Sequence, residues 1–219
     1  MLSILSTVAA YLLGSFPTGY LIVRWSTGQD VRDQHSGRSG GTNALRAAGF
    51  WAGLVTAGAD MAKAALAVTL ARWLLPAQPL VHVAAGLLAI LGHNYSIFLL
   101  RRQADGWRWF GGAGGAPTVG AAIGLWWPSV LIMIPAGVVV LWVVGYASLA
   151  TLTVGLAAIV LFLWRGLLGV GPLEYTLFGI GAASLLTWSL RPNIRRLIEG
   201  TERLVGLRAR GRDSGPSED

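Results

Sequence analysis

Seven apolar runs, most of them near the length of a membrane-spanning helix, divide this chain, and the loops between them are too short to hold a second core. A helix needs about 20 apolar residues to cross the hydrocarbon layer. Such runs appear at about 2–24, 50–75, 79–100, 112–127, 129–147, 149–168 and 173–190. The break between the fourth and fifth rests on Trp127-Pro128, and the next on Gly145 and Tyr146, so six spans are the alternative count. A mean hydropathy of +0.59 with only 12% charged residues belongs to polytopic membrane proteins and to no soluble class. The expected fold is all-α, an integral membrane protein of seven transmembrane helices.

Charge sets the expected orientation. Arginines 24, 32, 38 and 46 flank the first long loop, 101, 102 and 108 the second, and 191, 195, 196, 203, 208, 210 and 212 the tail. Seven spans put all of these on one side and leave Arg72 and Arg165 on the other. The positive-inside rule then places the N-terminus outside and the C-terminus in the cytoplasm. Met1 to Gly14 has neither a basic leader nor a cleavage site, which reads as an uncleaved first span. Residues 1–205 read as one membrane domain and 206–219 as a flexible cytoplasmic tail.

The same inventory excludes several chemistries. The chain has no cysteine and three scattered histidines, so neither thiolate catalysis nor a metal cluster is expected, and no cofactor is implied. The net charge of +7 lies in short loops between apolar runs, which argues against nucleic acid as a partner. Membrane lipids and phosphorylated substrates suit that charge.

Three polar stretches carry candidate function. The loop from 28 to 49 packs His35, Ser36, Arg38, Thr42, Asn43 and Arg46 among glycines, a set able to surround an anion with hydroxyl, amide and guanidinium donors. Its plainer reading is an inter-helix loop with a helix cap at Thr42 or Asn43. Residues 111–120, Gly-Gly-Ala-Gly-Gly-Ala-Pro-Thr-Val-Gly, can bend into a nest of backbone N–H donors, with Gly111, Gly112, Gly114 and Gly115 lining it. The spacings Gly111 to Gly115 and Gly120 to Gly124 also suit close packing of membrane helices. After the last run, Asn193, Arg196 and Glu202 exceed what a charged membrane anchor needs, and Leu197 and Ile198 suggest a short surface helix. Within the runs, Asp60 and Lys63 are spaced to pair with each other, while Lys63 could instead reach a phosphate. His93 reads either as a helix-to-helix hydrogen bond or as a site residue.

Taken in order, these stretches resemble the bacterial acyl-phosphate-dependent glycerol-3-phosphate acyltransferases, the PlsY family, from about Tyr11 to Glu202. Gly14-Ser15-Phe16-Pro17-Thr18-Gly19-Tyr20 is similar to the family's first-span signature, and Ser36, Gly37, Gly40, Thr42, Asn43 and Arg46 to its loop motif. Asp60 and Lys63 match its Asp-x-x-Lys, and Gly92 and His93 its Gly-His. Gly111 to Gly114 resemble its Gly-Gly-Lys-Gly, and Arg191, Asn193, Ile194, Arg196, Leu197, Gly200 and Glu202 its C-terminal motif. The resemblance implies transfer of a fatty acyl group from acyl phosphate to the 1-hydroxyl of glycerol 3-phosphate, giving lysophosphatidic acid, at a site on the cytoplasmic side. It implies catalytic roles for Ser36, Arg46, Asn193 and Glu202, and phosphate binding by Arg38, Thr42, Asn43, Lys63, His93, Gly111, Gly112, Gly114, Gly115 and Arg196.

The chain departs from the family pattern at Ala113, where the family has lysine, and at Leu190, where it has histidine. It also differs at His35, Arg38 and Pro117, and residues 101–109 read as an insertion. Three other readings stay open: a pseudoenzyme or non-enzymatic membrane subunit with the same fold, acyl transfer with another donor or acceptor, and a small transporter or lipid-binding protein.

Overall fold

The computed structural model describes residues 1–104 and 106–205, so the expected tail at 206–219 lies outside the described residues. Four helical stretches are long and apolar enough to cross a membrane: Leu2–Thr27, Phe50–Leu74, Trp127–Val144 and Ala147–Leu167. The first is two helices, α1 (Leu2–Ser15) and α2 (Thr18–Thr27), because Pro17 cannot donate a helical hydrogen bond and restricts Phe16 before it. A short helix α3 (Gly41–Ala48) precedes α4 (Phe50–Leu74). Three further apolar helices are shorter: α5 (Pro79–Asn94), α6 (Gly115–Leu125) and α9 (Tyr175–Ser189). Helices α7 (Val130–Val144) and α8 (Ala147–Leu167) come between the last two, and α10 (Arg191–Ile198) follows α9.

The expectation of an all-helical chain needs one correction. The third apolar run does not stay helical to residue 100. It stops at Asn94 and continues as strand β1 (Ser96–Gln103), paired antiparallel with β2 (Gly106–Phe110). Within the stretch read as an insertion, Arg101, Arg102 and Gln103 pair with Arg108, Trp107 and Gly106 in this hairpin. Ile97, Phe98, Trp107 and Trp109 favour the extended backbone, and Gly106 at φ +125° makes the turn.

The packing is that of a membrane bundle turned inside out relative to a soluble one. Small residues such as Ala64, Ala67, Ala85, Ala89, Ala121, Ala122, Ala158 and Ala182 fill the interior, while Val138, Val139, Trp142, Leu156 and Val160 face outward. Without a hydrophobic drive between helices in lipid, small side chains let backbones approach and dispersion do the work. Gly120 and Gly124 serve this packing: a Cβ at Gly120 would collide with the Met61 backbone, and one at Gly124 with Val68, so α6 lies directly on α4. Likewise α1 packs on α5 and α8 on α9.

The bundle's polar anchor lies in α4. Asp60, 1% exposed, receives Lys63 Nζ at 2.8 Å and Thr18 Oγ1 at 2.5 Å on the same oxygen, with His93 Nδ1 3.3 Å away. Lys63 also donates to the Phe16 carbonyl at 2.8 Å. One carboxylate thus ties α4 to the break between α1 and α2 and to the end of α5.

Candidate active site

Helix ends α5 and α9, the loop before α3, the start of the glycine tract and the segment after α10 surround one cavity of about 1000 Å³. Arg32, Arg38, Arg46, Arg108, Arg191, Arg195, Arg196 and Arg203 line it, with Glu202 as the single lining carboxylate among the described residues. So many like charges around one space repel one another unless an anion lies among them.

The loop from 28 to 40 is shaped by its own backbone. Gly28 closes α2 in the left-handed region, and Asp30 holds Arg32 through contacts of 2.6 to 3.1 Å while capping the short turn Val31–Asp33. The Arg32 guanidinium keeps Asp30 below the usual carboxylate range, against the opposing effect of burial. Asn43, 3% exposed, is the internal brace: its Nδ2 lies within 3.2 Å of the Val31, Gln34 and Arg38 carbonyls, and its Oδ1 accepts from Ser36 N–H at 3.4 Å. Ser36 and Arg38 are thereby presented to the cavity.

Arg38 donates to the Ser189 carbonyl at 2.5 Å, and burial together with the neighbouring Arg196 pulls its pKa below the ordinary arginine value. Arg46 projects from α3. Among the described residues no hydrogen-bond or ion-pair partner engages its guanidinium, and burial and Arg203 lower its pKa, with Glu202 opposing. Both remain charged at neutral pH, because arginine starts far above it.

The C-terminal segment folds back onto the cavity. Leu190, where the resemblance expects histidine, is buried apolar structure at the junction of α9 and α10. The chain past α10 turns at Gly200 and returns, with the N–H groups of Thr201 and Glu202 bonded to the Arg196 carbonyl. This buries Glu202 to 8% exposure, where Oε1 accepts from Asn193 Nδ2 at 2.7 Å and Oε2 from Arg196 Nε at 3.1 Å. Asn193 Oδ1 is buried without a partner among the described residues.

The glycine tract is held against the end of α5. Gly112 N–H donates to the His93 carbonyl, Ser39 N–H to the Gly111 carbonyl, and Ser189 Oγ to the Gly112 carbonyl. A Cβ at Gly112 would fall on His93 Nε2, and one at Gly111 on the His93 and Asn94 carbonyls. Close approach therefore demands glycine at both positions, and Gly112 N–H is already engaged rather than free for a ligand.

Of the residues expected from the sequence, Ser36, Arg38, Arg46, Gly111, Gly112, Asn193, Arg196 and Glu202 line this one cavity. Thr42 is exposed on α3, Asn43 braces the loop, and Lys63 and His93 belong to the Asp60 cluster beneath it. Gly114 is the left-handed cap of α6 and Gly115 packs on Thr151; neither lines the cavity. Sequence reasoning passed over Asn94, which lines the cavity at 6% exposure with neither amide atom hydrogen-bonded. A buried amide without partners is uncommon, and its position directly after His93 was the available signal. Arg108 and Ser189 were likewise missed.

The family model described as glycerol-3-phosphate acyltransferase matches residues 4–200. The chain is 38% identical over 211 residues to glycerol-3-phosphate acyltransferase 2 of Moorella thermoacetica, covering 94% of this chain and 99% of that one. It is 39% identical over 209 residues to the glycerol-3-phosphate acyltransferase of Thermus thermophilus, covering 93% and 95%. Its fold is similar to a crystal structure of PlsY, an integral membrane glycerol 3-phosphate acyltransferase, in the glycerol 3-phosphate form, with a TM-score of 0.80, 27% identity, and coverage of 94% and 96%. The lysophosphatidic acid form of the same protein gives 0.77 and 26%. On sequence and fold together, the chain belongs to the glycerol-3-phosphate acyltransferase family.

Proposed function

We propose that this protein transfers a fatty acyl group from acyl phosphate to the 1-hydroxyl of glycerol 3-phosphate, and that the arginine-lined cavity is where it does so. Acyl transfer to glycerol 3-phosphate in phospholipid synthesis follows from the family. The observation that carries the site assignment is a cavity that, among the described residues, has eight lining arginines, one lining carboxylate and unpartnered amide atoms at Asn94 and Asn193. Two phosphate-bearing substrates supply the missing negative charge, and a polyol supplies partners for the amides.

In this reading the acceptor hydroxyl oxygen forms a bond to the acyl carbon while that carbon's bond to the donor phosphate oxygen breaks, the phosphate leaving with the electron pair and taking up the hydroxyl proton. Acyl phosphate is already activated, so orientation and neutralisation of the departing charge supply much of the rate. Arg46, whose guanidinium has no partner among the described residues, grips phosphate by two parallel hydrogen bonds. Ser36 and Arg196 complete that grip, and Asn193 Oδ1 accepts from the acceptor hydroxyl. Glu202 acts through Asn193 and Arg196 as a positioning residue, and Asn43 does the same for Ser36 and Arg38. Arg38 supplies a cation near the glycine tract, where the resemblance leads one to expect a lysine at the position of Ala113.

The same reading takes α1/α2, α4, α5, α6, α7, α8 and α9 as seven membrane helices, the shorter ones reaching only part of the apolar thickness. The cavity then faces the cytoplasm across the inner membrane, since its end of the bundle carries most of the arginines.

Two measurements test this. Purified protein given glycerol 3-phosphate and acyl phosphate should release phosphate and form lysophosphatidic acid in equal amounts, while acyl-CoA gives none; turnover with acyl-CoA alone would overturn the donor assignment. Asn94→Ala should raise KM for glycerol 3-phosphate about tenfold or more, the order expected for a lost hydrogen bond to a charged group. Its Tm should hold or rise, because an unsatisfied buried amide is removed. A fall in Tm with unchanged KM would make Asn94 structural.

A further inference from the structure

At the opposite end of the bundle, α4, α6 and α8 finish and α5 and α9 begin around a second opening of about 350 Å³. Arg72 and Arg165 line it, with His82, Trp126 and Tyr175. The site already described uses none of these residues.

Both guanidiniums are fixed in place. Arg72 donates to the Gly124 carbonyl at 2.8 Å. Arg165 donates to the Val170 carbonyl at 2.6 Å and stacks 3.8 Å from the centre of the Trp126 ring. A Cβ at Gly171 would approach Arg165 Nη2 to 3.3 Å, so the bare backbone there leaves the guanidinium its room. His82 braces the wall from behind, with Nε2 2.8 Å from the Leu75 carbonyl and Nδ1 2.9 Å from the Tyr175 hydroxyl.

Each guanidinium carries five N–H donors, and the contacts above engage only some of them, all through neutral groups. Among the described residues no carboxylate lines the opening or pairs with either arginine; Glu174, beside Tyr175, is exposed and outside it. Two preorganised cations without a counter-charge form an anion site, and the planar fork of arginine matches phosphate oxygens. Trp73 and Trp164, 77% and 54% exposed, flank the two arginines as interfacial residues do, which puts the opening at headgroup level.

We infer that this second opening binds a phosphate group at the membrane boundary, on the side away from the acyl transfer. A lipid phosphodiester and a free phosphate share that chemistry, and the test separates them. Wild-type protein, the double variant R72Q/R165Q and the single variant R165Q are purified in a neutral detergent. Each is titrated with phosphatidylglycerol, with inorganic phosphate and with phosphate-free diacylglycerol, and adducts are counted by native mass spectrometry. The first cavity also takes phosphate, so the readout is the adduct lost on substitution. The expected result is a phosphatidylglycerol adduct weakened about tenfold or more in the double variant and partly in R165Q, with diacylglycerol unaffected. Loss of an inorganic phosphate adduct alone would assign the site to the free anion. Equal binding of both phosphate probes by wild type and variants, or no such adduct in wild type, overturns the site. Acyl transfer to glycerol 3-phosphate should match wild type in both variants and so report that they are folded; R165Q leaves the Arg72 hold on Gly124 intact.

Discussion

Replacing Arg46 with alanine should lower kcat/KM for glycerol 3-phosphate by about a hundredfold to a thousandfold, the largest catalytic effect of any single cavity substitution. Its guanidinium lines the cavity with no hydrogen-bond or ion-pair partner among the described residues, which leaves its donors for substrate phosphate. One hydrogen bond to a charged group is worth roughly 1.5–3 kcal/mol, and a bidentate grip involves two. Arg46→Lys keeps the charge and loses the fork, so it should recover only part of the loss. Steady-state kinetics over both substrates, beside a thermal unfolding curve, check this. Arg196→Ala should fall less steeply, since that side chain is partly neutralised by Glu202.

The largest effect on stability should come from Asp60→Asn. Lys63 would keep its buried ammonium while losing the carboxylate charge 2.8 Å away, and Thr18 and His93 would face a neutral amide in place of their common carboxylate. Removing one member of a buried ion pair costs about 3–5 kcal/mol, because the remaining charge is left uncompensated. The double variant Asp60→Asn with Lys63→Met should regain much of that, since a pair replaced by groups of similar shape is close to neutral. Thermal unfolding in one detergent across the three variants provides the comparison. A single variant as stable as wild type would show that the cluster does not anchor α4 to α1, α2 and α5. Activity should fall with stability in Asp60→Asn, because His93 supports Gly112.

How far the chain was legible depends on where each polar atom finds its partner. The membrane helices could be read because hydrophobic length is a one-dimensional property. The end of α5 could not: Ser96-Ile97-Phe98-Leu99-Leu100 is as apolar as the helix before it, and an apolar run of that length suits strand and helix alike. Only the pairing of β1 with β2 decides between them. Within the site, Ser36, Arg38, Arg46, Asn193, Arg196 and Glu202 stood out as polar groups in excess of what loops and anchors need, and all of them reach one cavity. Asn43, Lys63 and His93 stood out for the same reason, yet Asn43 and Lys63 are engaged by neighbouring backbone or by Asp60, and His93 turns Nδ1 toward Asp60. Sequence spacing carries no sign of that difference. Asn94 is the converse case. An asparagine ending a helix is an ordinary sight in a sequence, and its significance comes from being buried, unpaired and beside eight arginines.

The central claim, that the arginine-lined cavity holds the phosphate of glycerol 3-phosphate, is tested most directly by equilibrium binding of radiolabelled glycerol 3-phosphate to purified protein in detergent. Wild type and R72Q/R165Q should show the same saturable binding, while Arg46→Ala and Asn94→Ala, each with a wild-type Tm, should bind about tenfold or more weakly. Wild-type affinity in a folded Arg46→Ala protein would contradict the claim and move the phosphate site elsewhere in the molecule.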